Sequence, residues 1–295
     1  MVAKISQIAI YPIKGCGGIA LRSAEVLSSG LSGDREYIIV REEKDQEGAH
    51  HSITQRDKRE RSDPKPQSLS ILALIRPQIT DRKLKLTWMG SDSVVVDLEE
   101  GSGHPILVRV QKDVVWSLDQ GGPVAKWLTE HLQLRVRLAR RGTDFHRPAS
   151  QTYMRSANTI SFQDAYPIHW VMQESVDELS RTAGQEIPWT RFRPNIVGEG
   201  GEPQSEHTIH EGSMGEVRFI QPKPCTRCPV TTVDQTSGEK RGNEPLRALS
   251  TYKRWRKTRE IIFGENVLPT QEGTIRMGDE IVQLTKRNPP LEYGR

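Results

Sequence analysis

The chain has 295 residues, of which 35% are hydrophobic and 27% charged, with 42 Lys and Arg against 38 Asp and Glu for a formal net charge of +4. A chain of this size buries a substantial core, as one large domain or two smaller ones, while a mean hydropathy of −0.61 and the lack of any apolar run of about 18 residues exclude a membrane-spanning helix. The near balance of charge argues against a nucleic-acid partner, which calls for a larger one-sided basic excess, and three cysteines argue against a disulfide scaffold and fit a reducing compartment.

The first residues, Met1-Val2-Ala3-Lys4-Ile5-Ser6, carry neither the basic-then-apolar signature of a secretory signal nor the Arg-rich pattern of a transit peptide, so a cytoplasmic protein is expected. Ile5, Ile8 and Ile10 predict a strand that Tyr11-Pro12 closes, followed by a glycine-rich loop at Gly15-Cys16-Gly17-Gly18 whose backbone either forms a plain turn or comes close to a ligand. A second glycine-rich turn holds Asp34-Arg35 before the strand Tyr37–Val40; the pair is either an exposed ion pair or a device that aims an arginine at an anion. Residues 42–68 are polar and lack apolar periodicity, which predicts a long loop, with Thr54-Gln55-Arg56 its one segment of interest.

Strands then come close together: Leu69 to Leu74, Leu84 to Trp88 in clean alternation, Ser93 to Leu98, Ile106 to Val110 and Val114 to Leu118. Gly121-Gly122-Pro123 opens a helix with Val124, Trp127, Leu128 and Leu132 at helical spacing, and Arg135 to Leu138 alternates as a strand with one wet face. The polar stretch from Arg140 to Asn158 is where one domain hands over to the next, giving expected regions 1–140 and 141–295. Pro167 leads into a helix with Met172, Val176 and Leu179 on one face, ending before Gly184; His169 and Trp170 at its start read as core rather than ligands. Trp189 to Val197 holds Arg191, Arg193 and Asn195 around Pro194, a pattern that suits either an exposed edge or an anion pocket. A strand over Gly215 to Gln221, a helix after Asn243-Glu244-Pro245 with Ala248, Tyr252 and Trp255 on one face, a turn at Phe263 to Asn266 and two last strands complete the chain. The basic runs Arg56 to Arg61 and Lys253 to Arg259 read as solvated surface.

The chemistry centres on Pro224-Cys225-Thr226-Arg227-Cys228-Pro229. The spacing C-x-x-C serves zinc sites, redox dithiols and plain buried cysteines alike. A zinc site would need His207 and His210 as partners of Cys225 and Cys228, and the extended stretch after Pro229 lacks the helix of a redox dithiol. Arg227 beside Cys228 favours the thiolate, hence a ligand or nucleophile. Lys14, Arg35, Arg193 and Arg227 on tight turns suit a phosphate, and a thiolate suits a soft metal, so a metal-bearing, phosphorylated cofactor meets both demands.

Tyr11-Pro12-Ile13-Lys14, Gly30-Leu31 with Asp34-Arg35, Phe192-Arg193-Pro194-Asn195, Cys225-Thr226-Arg227-Cys228 with Thr231 to Asp234, Glu244-Pro245-Leu246, Phe263-Gly264-x-Asn266 and Gly278-Asp279 together resemble, in order, the MOSC proteins with an N-terminal β-barrel domain, a group that includes the mitochondrial amidoxime-reducing component and its bacterial relatives. The resemblance implies a mainly β fold with some α: a MOSC β-barrel core plus a smaller β-rich N-terminal domain. It implies a molybdenum cofactor with Cys228 as the metal's thiolate ligand, and Lys14, Gly15, Arg35, Arg193, Asn195, Thr226 and Arg227 around the pterin and its phosphate. Asp164 and Ala165 fall where the family approaches the metal, with Asp164 the further catalytic candidate. Gly15 stands where relatives carry serine, Ala165 where they often carry threonine or glycine, and Tyr166 is bulkier than its counterpart and would reshape the substrate mouth. The activity implied is reduction of N-hydroxylated compounds such as amidoximes, hydroxamic acids or N-hydroxylated bases. No cysteine follows Cys228, so electrons are expected from a separate protein of the cytochrome b5 or flavin reductase type. The alternative is a carrier of the cofactor or of sulfur without redox turnover.

Overall fold

The computed structural model describes residues 2–57, 69–80, 82–97, 103–252, 254–288 and 293–294. The expected loop residues 58–68, the expected strand end Leu98, and Lys58 to Arg61 and Lys253 of the two basic runs lie outside the described residues. In the remainder of those runs Arg56, Arg256, Lys257 and Arg259 are exposed.

The largest sheet has nine strands and closes on itself. Its ring of pairings runs Ile168–Met172, Ile196–Glu199, Val2–Ile10, Glu280–Lys286, Ile209–Met214, Val217–Ile220, Ile262–Gln271 and back to Ile168–Met172. Ile19–Leu21 and Pro224–Thr226 pair onto this ring from outside. Alternation along each strand sends Ile5, Ile8, Trp170, Ile196, Phe219 and Ile281 into one buried core. A second, smaller closed barrel is made of Tyr37–Lys44, His50–Ser52, His104–Val110, Asp113–Asp119 and Val136–Arg141. The three-stranded sheet Ile75–Thr80, Lys83–Trp88, Ser93–Asp97 shares its core with helix α1, Gly122–Leu132, through Leu84, Leu86, Val124, Trp127 and Leu128. The fold is therefore mainly β with two barrels and few helices. Chain order and space do not coincide: the expected region 1–140 contributes Val2–Ile10 and Ile19–Leu21 to the sheet built otherwise from 141–295, so the N-terminal strand ties the two barrels together.

Five expectations are corrected. Leu69–Leu74 is a 3-10 helix, not a strand; Leu69, Leu72 and Ile75 recur every three residues in one core, the period of that helix rather than of a strand. Ile168–Met172 is a strand and helix α2 begins only at Gln173, running to Ala183. All five strand residues are buried because Ile168, Trp170 and Met172 face the barrel interior while Val171 packs with Val176 and Leu179 of α2; a run buried on both faces has no polar beat to mark it as β. Phe263 to Asn266 lies inside the ten-residue strand Ile262–Gln271, its turn-like glycine bending the strand at φ 67°. Trp255 is not on the face of helix α3, Leu246–Tyr252, but in a short strand beyond it. The expected loop from 42 onward is in part barrel: the strand continues to Lys44 and returns as His50–Ser52, with the Asp45 carboxylate accepting the turn's Glu47 and Ala49 N–H groups at 2.9 and 3.0 Å.

Candidate functional site

A cavity of about 420 Å³ opens between the two barrels. Lys14, Gly15, Arg35, Asp164, Ala165, Arg193, Asn195, Thr226, Arg227 and Cys228 all line it, together with Cys225. Among the described residues the wall carries seven lysines and arginines (Lys14, Arg35, Arg56, Arg191, Arg193, Lys223, Arg227) against one carboxylate, Asp164, which is the charge pattern of an anion site.

Each cation is placed by the local chain. After Tyr11-Pro12 closes the first strand, Lys14 N–H donates to the Tyr37 carbonyl at 2.9 Å, and its Nζ reaches Asp164 Oδ1 at 2.6 Å and the Phe162 carbonyl at 2.7 Å. Burial holds the Lys14 ammonium below its ordinary range, and the Lys14 charge pulls the Asp164 carboxyl down to about 2. Gly15 takes φ 88°, a conformation that favours glycine, and its carbonyl accepts from Gln55 Nε2 at 2.6 Å. Arg35 sits at φ 49° with Nη1 at 2.7 Å from both oxygens of buried Asp34 and Nη2 at 3.1 Å from the Arg193 carbonyl. The Asp34-Arg35 pair is thus an anchored fork and not an exposed ion pair. Arg193 follows the 3-10 helix Trp189–Phe192 at φ 53°. Its Nη1 donates to Gln235 Oε1 at 3.0 Å, while Nη2 is buried with no hydrogen-bond partner among the described residues. Burial lowers its pKa to about 10, so it stays cationic at neutral pH. The segment expected to be either an edge or an anion pocket therefore belongs to the cavity wall.

The cysteine motif rides on Pro224–Thr226, which pairs with Ile262–Gln271. Burial pushes the Cys225 thiol up. Cys228 precedes the 3-10 helix Pro229–Thr232 in extended conformation, with its carbonyl accepting from Thr231 N–H at 3.1 Å and Thr231 Oγ1 at 3.0 Å. Cys228 lines the cavity together with Cys225, Thr226 and Arg227 of the same motif. Arg227 lines the cavity and is also fastened by the fold. Its guanidinium donates to the Phe263 carbonyl at 2.9 Å through Nε, to the Phe192 carbonyl at 3.3 Å through Nη1, and to His169 Nε2 through Nη2. It clamps three strands and turns together behind the cysteines. His169 is more than core: burial and the Arg227 charge hold it well below the usual imidazole range, and Nδ1 lies 3.1 Å from the Glu265 carbonyl. Those partners require the neutral tautomer with Nδ1 protonated.

Asn195 lines the cavity, but its amide is engaged within the barrel, with Oδ1 accepting from His169 N–H at 3.2 Å and Nδ2 donating to the Ala9 carbonyl at 3.1 Å. It positions the wall. Tyr166 is buried at the cavity, beside half-buried Ala165. Buried Arg147, which sequence reasoning missed, holds the loop before Asp164 by donating to the Ser161 carbonyl at 3.2 Å and pairing with Asp113 at 2.7 Å. Gln55, Gln111, Gln163 and Thr231 also line the cavity; Gln55 fell in the one watched segment of the loop and Thr231 in the stretch quoted after Cys228, whereas no spacing marked Gln111 or Gln163. The zinc alternative is not built: buried His207 pairs with Glu265 at 2.6 Å, and no group of three or more His, Cys, Asp or Glu suited to a metal exists among the described residues. No helix among the described residues is long and apolar enough to cross a membrane.

Two family models match the chain: the MOSC N-terminal beta barrel domain over residues 2–135 and the MOSC domain over residues 157–282. Among curated proteins it is 27% identical to mitochondrial amidoxime-reducing component 1 of Mus musculus, covering 96% of this chain and 83% of the relative. It is 26% identical to the Homo sapiens protein of the same name, again over 96% of this chain and 83% of the relative. It is also 28% identical to molybdenum cofactor sulfurase 3 of Aedes aegypti, over 92% of this chain but only 35% of that longer protein.

Proposed function

Because the chain belongs to the MOSC proteins that carry an N-terminal MOSC β-barrel domain, we propose that it is a molybdenum-cofactor oxidoreductase that reduces N-hydroxylated compounds with electrons from a separate protein. The observation that carries this reading is the cavity itself: among the described residues two thiols and seven cations line one space with a single carboxylate, and two buried guanidinium nitrogens of its wall, Arg191 Nε and Arg193 Nη2, lack a partner there. A buried cationic donor without an acceptor is costly unless a ligand supplies one. The residues present therefore fit a phosphorylated, metal-bearing cofactor. The names of the amidoxime-reducing relatives support the substrate class and the need for an electron donor.

In this reading Cys228 supplies the thiolate ligand to molybdenum, Arg35 and Arg193 hold the cofactor's anionic tail, and Lys14 with Thr226 completes the cradle. The cofactor, when bound, supplies a metal that cycles between oxidation states as an N–OH oxygen is removed. Asp164, held ionised by Lys14, serves as a hydrogen-bond acceptor and anchor and does not donate a proton near neutral pH. Neutral His169 keeps Arg227 against the Phe263 carbonyl and so fixes the strand that carries Cys225. Tyr166 and Ala165 shape the side from which substrate enters. An electron donor of the cytochrome b5 or flavin reductase type would make a small, transient contact. The sulfurase relative favours a second reading, transfer of sulfur or cofactor without redox turnover.

The test is molybdenum analysis of the protein and of Cys228→Ala from a host that makes the cofactor, followed by assay of an amidoxime with a chemical reductant. Molybdenum near one per chain, lost in the variant, with turnover of the amidoxime, supports the proposal. Molybdenum without turnover of any N-hydroxylated compound leaves the carrier reading, and a wild type free of molybdenum overturns both.

A further inference from the structure

Tyr11 heads the sequence motif that runs to Lys14, yet none of the chemistry above uses it. Its side chain is 4% exposed, and the guanidinium carbons of Arg35 and Arg193 both lie 4.3 Å from the centre of its ring. The two cations are therefore no further apart than twice that distance. Like charges so close in a buried wall repel each other, whereas a tyrosine ring attracts each of them through the negative charge of its face.

The rest of Tyr11 fastens the same two arginines. Its N–H donates to Asp34 Oδ1 at 2.8 Å, the carboxylate that grips Arg35 Nη1, and its carbonyl accepts from Arg35 N–H at 2.9 Å. Its hydroxyl donates at 3.2 Å to the carbonyl of Pro194, the residue after Arg193, and Arg35 Nη2 closes the circuit on the Arg193 carbonyl at 3.1 Å. Both arginines occupy the left-handed region, at φ 49° and 53°, where a residue with a Cβ stays only if its surroundings hold it. Burial pushes the Tyr11 phenol up to about 12, so the ring brings no charge of its own at neutral pH.

We propose that Tyr11 is a positioning residue whose ring holds Arg35 and Arg193 together as a two-cation clamp for a dianionic phosphomonoester. This rests on the cofactor reading only in naming the cofactor's tail as the resident ligand; free phosphate shares the chemistry. Planar guanidiniums suit both tasks, stacking on the ring and presenting paired N–H groups to phosphate oxygens.

The experiment titrates the full chain, purified from a host that does not make the cofactor, with inorganic phosphate by calorimetry, and counts molybdenum per chain in the same variants from a host that does. Tyr11→Phe keeps the ring and is expected to bind phosphate within about threefold of wild type, since it loses one hydrogen bond to a carbonyl. Tyr11→Leu removes the ring and is expected to weaken phosphate binding about tenfold or more, with molybdenum content falling in the same order and the circular dichroism unchanged. Arg193→Met is the control without the clamp. If Tyr11→Leu does not fold, Arg35→Lys and Arg193→Lys in the presence of the ring replace it: they keep the charge but lose the planar stack, and are expected to weaken phosphate similarly. Tyr11→Leu or the lysine variants binding phosphate like wild type, while Arg193→Met does not, overturns the role of Tyr11 and leaves the cofactor reading intact. No phosphate binding by wild type overturns the clamp whatever the molybdenum content. A wild type that binds phosphate through Tyr11 but takes up no molybdenum supports the clamp, with free phosphate as its ligand, and sinks the cofactor reading instead.

Discussion

His169 gives the sharpest test of the buried wall behind the cysteines, because its two ring nitrogens face a carbonyl and a cation, an arrangement that only the neutral imidazole satisfies. Nδ1 meets the Glu265 carbonyl at 3.1 Å and Nε2 accepts from Arg227, and burial together with the Arg227 charge holds the folded-state pKa well below the ordinary 6.5. The unfolded chain protonates this residue below about pH 6.5 while the folded chain does not, so the unfolded state binds more protons and stability falls as pH falls. The residue is neutral in both states above that pH, so the loss begins there and continues down towards the folded-state pKa. Its slope is at most about 1.4 kcal/mol per pH unit, which caps the loss at about 2 kcal/mol between pH 6.5 and 5. Glutamine at this position keeps a donor for Glu265 and an acceptor for Arg227 but does not titrate. Urea denaturation of wild type and His169→Gln at about pH 7.5 and about pH 5 isolates the effect, since every other titrating group, His207 beside Glu265 included, is common to both and cancels in the difference. The stability of wild type relative to the variant is expected to fall over that range, by up to about 2 kcal/mol. Parallel pH profiles would refute the claim that folding forces a neutral histidine against Arg227.

The Lys14 ammonium is buried with its charge disfavoured, whereas the Asp164 side chain is 68% exposed and well solvated, so Lys14→Met is expected to leave urea stability within about 1 kcal/mol of wild type, or above it, while molybdenum content collapses. Gly264→Ala is expected to cost about 2 to 5 kcal/mol in urea denaturation, combining left-handed strain with overpacking, because its Cβ would meet the Trp170 carbonyl oxygen at 2.5 Å and His169 Cε1 at 2.6 Å. Gly15→Ser is expected to lose about 1 to 2 kcal/mol by the same assay, because φ is 88° and the new Cβ would crowd Leu72 Cδ1 at 3.2 Å; a gain in stability would show that the turn relaxes to admit a side chain.

Where one face of an element is wet, its type was legible. Lys83–Trp88 alternates buried and exposed, and α1 puts Val124, Trp127, Leu128 and Leu132 on one stripe, because water on the far side imposes the polar beat. The signal failed where both sides are covered: Ile168–Met172 lies between the barrel interior and α2, so its residues carry no record of which period they obey. Closure of the large sheet was illegible for a different reason. It depends on Val2–Ile10 pairing with Ile196–Glu199 and Glu280–Lys286, and strand pairing across so many residues leaves no local pattern in any of the three.

The site divides along the same physical line. Which residue types share the cavity was readable: the thiols of the cysteine motif and the arginines on tight turns. What each arginine does was not, because that depends on which carbonyls and rings the fold brings up to it. Arg227, beside Cys228 in sequence, turns to Phe192, Phe263 and His169, whereas Arg193, more than thirty residues earlier, has among the described residues only the Gln235 amide oxygen and the Tyr11 ring. A guanidinium satisfied by carbonyls is a structural clamp. One buried with an idle nitrogen and no carboxylate keeps its full demand for an anion. Left-handed backbone at Arg35 and Arg193 adds strain of about 1 to 2 kcal/mol each, which the apoprotein bears without return. The stability of this wall should therefore be lowest when the cavity lacks an anion, and should rise with phosphate concentration c as RT ln(1 + c/Kd), continuing logarithmically beyond saturation.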